Sequence, residues 1–226
     1  MIPDGLRDEN GIQHRWDLTP AEAVSLQREL AAKIDCRTPL ELNTLRLVAG
    51  VDVGVKNGIS RAAIVVLSYP ALTFIESACA EMPTPFPYIP GLLSFREGEV
   101  ILAAHQRLSC RPDVYLFDGQ GIAHPRRLGI ASHIGLWLDA PTIGCAKTRL
   151  IGEHAPVGGE AGSRQPLWDA GEVIGMVLRT RSHVKPVYVS VGHRATLETA
   201  VDLVMRCITR YRLPEPTRAA HHAAMV

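Results

Sequence analysis

The segment Leu47 to Val55 alternates without a break. Leu47, Ala49, Val51, Val53 and Val55 fall on one face, and Val48, Gly50, Asp52 and Gly54 fall on the other. A period of two over this length predicts a β-strand and commits the chain to a packed sheet. Asp52 is the exception within it, because its neighbours are all small or apolar. A buried, unpaired carboxylate costs several kcal/mol, roughly the scale of total domain stability. A cation offsets that cost, or a basic partner such as Arg46 or Lys56.

Around this strand the pattern predicts an α/β order. Thr19, Pro20 and Glu22 form a capping box that opens a helix from Pro20 to about Ile34. Arg61 to Ser68 and Leu72 to Ala80 are further apolar runs, so three successive strands form an antiparallel meander. Helices are expected over Glu97–Ser109, Leu128–Leu138 and Thr196–Tyr211, and strands over Val114–Phe117, Thr142–Ala146, Glu172–Thr180 and Pro186–Val191. Pro83 to Pro90 must be extended or turned, and Gly158 to Ser163 reads as a loop. The sum is a mixed sheet, three antiparallel strands followed by parallel ones, flanked by helices.

The 226 residues suit a single domain, with a core over about 16–221 and short polar tails. The net charge of +1 predicts no polyanionic partner by itself. Its distribution is uneven: Met1–Arg46 carries eight acids and six bases, whereas Arg179–Arg218 carries eight bases and three acids. The second stretch suits either phosphate contacts or a solvated surface. Five cysteines without metal-ligand spacing read as free thiols in a reducing compartment. The first ten residues lack an apolar signal core, and no apolar run approaches a membrane span, so a cytoplasmic location is expected.

Several residues carry possible chemistry. Asp118 ends the Val114–Phe117 run, where α/β sheets collect ligands, although an Asx turn produces the same Asp-Gly pair. Glu97 near a helix start is a third acid, or a charge answering the helix dipole. Together the three acids offer hard oxygen ligands suited to magnesium. Lys147 follows Thr142–Ala146 and either holds a phosphate or is merely exposed. His221 and His222 sit in an apparently polar tail.

Longer motifs converge on one family. Val48–Asp52, Pro87–Glu97, Asp118–Arg127, Ala146–Arg149, Ser190–Arg194 and Pro214–Arg218 resemble endonuclease V, the deoxyinosine-directed repair nuclease, from about Trp16 to His221. The resemblance implies a ribonuclease H-like fold and a magnesium-dependent enzyme, with manganese as a substitute. Such an enzyme cuts the second phosphodiester 3′ to deoxyinosine and leaves a 3′-hydroxyl and a 5′-phosphate. It implies that Asp52, Glu97 and Asp118 form the metal site, with Lys147 as the active-site lysine and His221 assisting. Tyr88 matches the wedge tyrosine, and Gly91, Leu93, Gly119, Ile130 and Leu150 match the pocket for the base. Without the resemblance, Tyr88 would read as an aromatic packed under its own loop. Gln120 departs from the histidine that many members carry after the Asp-Gly pair.

Arg126, Arg127, Arg149, Arg194 and Arg218 are candidate phosphate contacts. A monomer acting on deoxyinosine-containing DNA is expected. Two other readings stay open: a nuclease for inosine-containing RNA, and a non-catalytic nucleic-acid-binding protein.

Overall fold

A computed structural model describes residues 12–225. The first eleven residues, including most of the expected N-terminal tail, lie outside the described residues. The elements in chain order are α1 (Pro20–Ala31), β1 (Leu47–Lys56), β2 (Ile59–Ser68), β3 (Phe74–Pro83), α2 (Leu93–His105), β4 (Val114–Phe117) and α3 (Ile130–Leu138). They continue with β5 (Thr142–Ala146), β6 (Arg164–Asp169), β7 (Glu172–Leu178), β8 (Val187–His193), α4 (Leu197–Arg206) and α5 (Glu215–Ala224).

The eight strands form one sheet in the order β3-β2-β1-β4-β5-β8-β7-β6. The first three strands are the expected meander, and β1, β4 and β5 run parallel at the centre. Beyond β5 the strands are antiparallel, where parallel pairing was expected. The reason is β6, which the sequence reading passed over. Pro166 lies within it and lowers its strand propensity, but β6 is the last strand of the sheet, where a missing N–H is tolerated. It forms a hairpin with β7 and so reverses the direction of that half.

The alternation of β1 sorts the two layers. Ala49 and Val51 face a core shared with Phe95 and Ile101 of α2 and Ile134 of α3. Val48 faces the opposite core, with Val201 of α4 and Ala220 of α5. The capping box at Thr19 is present, its backbone N–H donating to Glu22 Oε2 at 2.8 Å.

Two helix boundaries differ from expectation in ways that matter for the site. Helix α2 begins at Leu93, so Glu97 stands beyond the first turn and does not serve the helix dipole. Helix α4 ends at Arg206, and the Glu215 N–H closes back on the Cys207 carbonyl at 2.8 Å before α5 begins. The stretch read as a polar tail is therefore a helix. Its buried residues, Pro216, Thr217, Ala220 and Ala224, form a narrow stripe at helical spacing.

Glycines on β1 make room for α5. A Cβ at Gly50 would lie 1.9 Å from the Pro216 carbonyl oxygen, and one at Gly54 would lie 2.9 Å from that of Ala224. Gly50→Ala is expected to push α5 off the sheet at about 1–3 kcal/mol, the usual cost of overpacking. A urea melt checks the stability, and the loss should be accompanied by weakened cutting because α5 carries His221.

Candidate active site

Asp52 occupies the face of β1 covered by α5. Its Oδ2 accepts from Nδ1 of His221 at 2.6 Å, and its Oδ1 accepts from the Val53 N–H at 2.9 Å. The partner anticipated in Arg46 or Lys56 is thus an imidazole from the far end of the chain. Burial pushes the Asp52 carboxyl above its usual range, the bond from His221 pulls it down, and the charge of Asp118 raises it again. Asp118 emerges from β4 beside β1, its N–H bonded to the Val51 carbonyl at 3.1 Å. Lys147, just past β5, forms an ion pair with the Asp118 carboxylate.

Asp52, Asp118 and His221 each bring one ligand atom within 4.8 Å of the others. Two carboxylates and an imidazole, one from the middle of β1, one just past β4 and one from α5, fit a divalent cation. Glu97 lies outside this closest group but near enough for both carboxylates to act on it. Burial first, then the charge of Asp52, push its carboxyl up to about 8; Arg96 pulls against them, and Asp118 adds a smaller push. A carboxyl so perturbed beside two others is the electrostatic mark of a functional site.

A cavity of about 290 Å³ opens beside Asp118 and Lys147. Gly91, Leu93, Gly119, Ile130 and Leu150 all line it, as does Tyr88 at its mouth. Tyr88 is 68% exposed, with Arg96 stacked at 5.9 Å from its ring centroid, so it is not packed under its own loop. Gln120 also lines the cavity; its Nε2 donates to the Thr148 carbonyl at 3.0 Å, while its Oε1 is enclosed with no protein partner.

The loop that carries Tyr88 is braced by Gln27 and His124, neither of them among the expected site residues, and by Arg126, expected instead at a phosphate. Gly91, at φ 81°, presents a carbonyl that accepts from Gln27 Nε2 at 2.9 Å, His124 Nε2 at 3.0 Å and Arg126 Nη2 at 2.7 Å. His124 Nδ1 in turn accepts from the Arg126 N–H at 3.1 Å, which fixes the neutral tautomer with hydrogen on Nε2. Burial and the adjacent guanidinium push this imidazole down to about 4. The available signal was Gln27, an amide at the α1 positions otherwise buried as Ala23 and Leu30.

The arginines divide. Arg126 is consumed by the brace, Arg127 by Asp169 and Glu172, and Arg194 by Asp139. Arg218 pairs with Glu215 and lies 3.5 Å from the Tyr211 ring centroid. Arg149 is exposed and lines the cavity, the best placed of the five for a phosphate. Cys145 and Cys207 are buried, Cys36, Cys79 and Cys110 are partly buried, and all five are free thiols.

A mixed sheet with two carboxylates, an imidazole and a lysine gathered beside a cavity defines an α/β protein with a candidate metal centre. Comparison with known proteins narrows the class. The family model for Endonuclease V matches residues 28–222. Endonuclease V of Dehalococcoides mccartyi strain CBDB1 is 54% identical over 214 residues, covering 93% of this chain and 95% of the relative. The crystal structure of Endonuclease V from Streptomyces avermitilis superposes with a TM-score of 0.90 at 40% identity, covering 95% of each chain. Ciona intestinalis Endonuclease V, in complex with a 24mer DNA containing an inosine followed by a ribo-adenosine, matches with a TM-score of 0.78 at 30% identity, covering 91% of this chain and 95% of that one. The chain belongs to the endonuclease V family.

Among the described residues no helix is long and apolar enough to cross a membrane.

Proposed function

We propose that this chain is a magnesium-dependent repair endonuclease that finds deoxyinosine in DNA and hydrolyses the second phosphodiester 3′ to it. The observation that carries the reading is the convergence of Asp52, Asp118 and His221 beside a nucleobase-sized cavity with an exposed aromatic at its mouth. The Ciona relative, bound to inosine-containing DNA, supports the substrate class.

Asp52 and Asp118 would hold the cation, with Glu97 close by; manganese is the expected substitute. When bound, the ion lowers the pKa of water and relieves charge on the phosphate. His221 orients Asp52 through their hydrogen bond. Lys147 sits where it can balance Asp118 or draw a phosphate oxygen toward the site. Glu97, whose carboxyl is pushed up to about 8 in the cation-free site, lies within the field of both acids that would hold the ion. Water adds to phosphorus and the bond to the 3′ oxygen breaks, leaving a 3′-hydroxyl and a 5′-phosphate.

Tyr88 fills the stack as the base leaves it, a role that suits a rigid ring on a proline-bounded loop. The braced Gly91 keeps that loop and the cavity wall in fixed relation. Hypoxanthine presents a carbonyl at position 6 and an N1–H donor, and adenine reverses both, so fixed groups in the cavity discriminate by leaving the wrong base unpaired. Arg149 contacts a phosphate, and the protein acts as a cytoplasmic monomer.

Cleavage mapping on a duplex with one inosine, with and without magnesium, tests the reading. A cut at any other bond, or equal cutting in EDTA, would overturn it. Tyr88→Ala is expected to weaken binding to an inosine duplex by about tenfold or more, on the scale of a lost base-stacking contact, and to leave undamaged-duplex binding nearly unchanged. Gel shifts on both duplexes decide this, and equal losses would remove the wedge role.

A second reading has one observation in its favour: the DNA bound by the Ciona relative carries a ribonucleotide after the inosine. Matched DNA and RNA strands, each with one inosine, separate the two.

A further inference from the structure

A chain of hydrogen bonds runs from the N-terminal arm through the core to the cavity wall. His14 Nδ1 lies 2.7 Å from the Arg15 carbonyl oxygen. His14 Nε2 lies 2.7 Å from His133 Nε2, and His133 Nδ1 lies 2.8 Å from Ser94 Oγ. His133 and Ser94 are buried, and Ser94 lines the cavity. Trp16 stands 5.1 Å from the His133 ring and Trp137 stands 5.0 Å from His14, centroid to centroid. Burial disfavours charge on either imidazole and holds both below their usual range.

For neutral rings the direction of every bond follows. The Arg15 carbonyl only accepts, so the His14 proton is on Nδ1 and its Nε2 is bare. Two bare nitrogens do not sit 2.7 Å apart, so His133 carries its proton on Nε2 and donates it to His14. His133 Nδ1 is then bare and takes the Ser94 hydroxyl proton. A serine has one hydroxyl proton, and here it is committed to the interior.

We propose that the His14–His133–Ser94 chain makes Ser94 a hydrogen-bond acceptor toward the cavity and thereby a specificity-determining residue for the base bound there. Hypoxanthine brings an N1–H that satisfies such an acceptor. Adenine brings a bare N1, which faces the serine oxygen lone pair to lone pair. The inference rests on the deoxyinosine reading and adds to it a named side chain and the reason for its polarity. The sequence places the three residues far apart: His14 precedes α1, Ser94 lies in α2 and His133 lies in α3.

Two measurements test the proposal. Long-range proton–nitrogen correlation spectra of the nitrogen-labelled full chain read the tautomers directly. His14 protonated on Nδ1 and His133 on Nε2 is the expected pattern; His133 protonated on Nδ1 would overturn it, because Ser94 would then be free to donate. The second is competition binding between duplexes that differ only in inosine or adenine at one position. Ser94→Ala is expected to cut the inosine preference by about tenfold while keeping non-specific binding. His14→Phe, which keeps a ring against Trp16 and Trp137 but removes the acceptor, is expected to cut it in the same direction. An unchanged preference in Ser94→Ala would overturn the proposal, and should that variant fail to fold, the tautomer pattern and His14→Phe still decide. Absence of any inosine preference in the unaltered protein would instead sink the deoxyinosine reading, whatever the tautomers.

Discussion

Asp118→Ala and Asp52→Ala are each expected to reduce cutting of an inosine duplex in magnesium by about a thousandfold or more while leaving the fold intact. The size follows from removing a charged group that acts on the reacting phosphate in a partly dry site. The fold should survive because neither side chain is part of the apolar core. Asp52 is pushed up by burial and by Asp118, and the side chain of Asp118 pairs with the partly exposed Lys147 rather than with the packed core. Single-turnover cleavage and circular dichroism check the two halves. A variant that cuts at the original rate would show that the acid pair is not the centre of the chemistry. Asp52→Ala should also free His221, whose Nδ1 bond to Asp52 is the contact that ties α5 to the site.

Glu97→Gln should make the cation-free protein more stable at alkaline pH. In the folded chain this carboxyl titrates at about 8, against an ordinary value of 4.5. Between those values the folded state binds more protons than the unfolded state, so stability falls as pH rises through the interval. Above the upper value the full penalty is present, on the order of 2–4 kcal/mol for a group this buried. Glutamine cannot ionise and escapes it. In EDTA near pH 9 the variant should melt about 5–10 °C above the unaltered protein, and near pH 5 the two should converge. Magnesium should narrow the gap by stabilising the protein that keeps Glu97. Equal melting at both pH values would mean that Glu97 is not held against its neighbours.

Much of this arrangement was legible in the order of residues. The meander, the central parallel strands and the capping box each left a local pattern of period or turn chemistry. Asp52 was conspicuous because a carboxylate in an alternating apolar strand demands a partner. The partner itself was not legible. Helix α5 is rich in alanine and histidine, and its buried stripe is only Pro216, Thr217, Ala220 and Ala224. The evidence for it lay on the other element, in the glycines of β1 that give its backbone room. Strand β6 was hidden by Pro166, which is harmful in the middle of a sheet and harmless at its edge. Glu97 was seen as an acid but misplaced in its helix, because Leu93, Ser94 and Phe95 begin α2 without a side-chain cap. A guanidinium in a motif looks the same whether it meets a phosphate or, as Arg126 does, a carbonyl.

The bond between His221 and Asp52 joins positions 169 apart in sequence. Contacts of that separation form late, because the intervening chain must be ordered before they repay its loss of freedom. A partly folded chain, or one cleaved before α5, would hold its acids but not the imidazole that orients them. The pair at the centre of the site is then complete only once α5 has docked on β1.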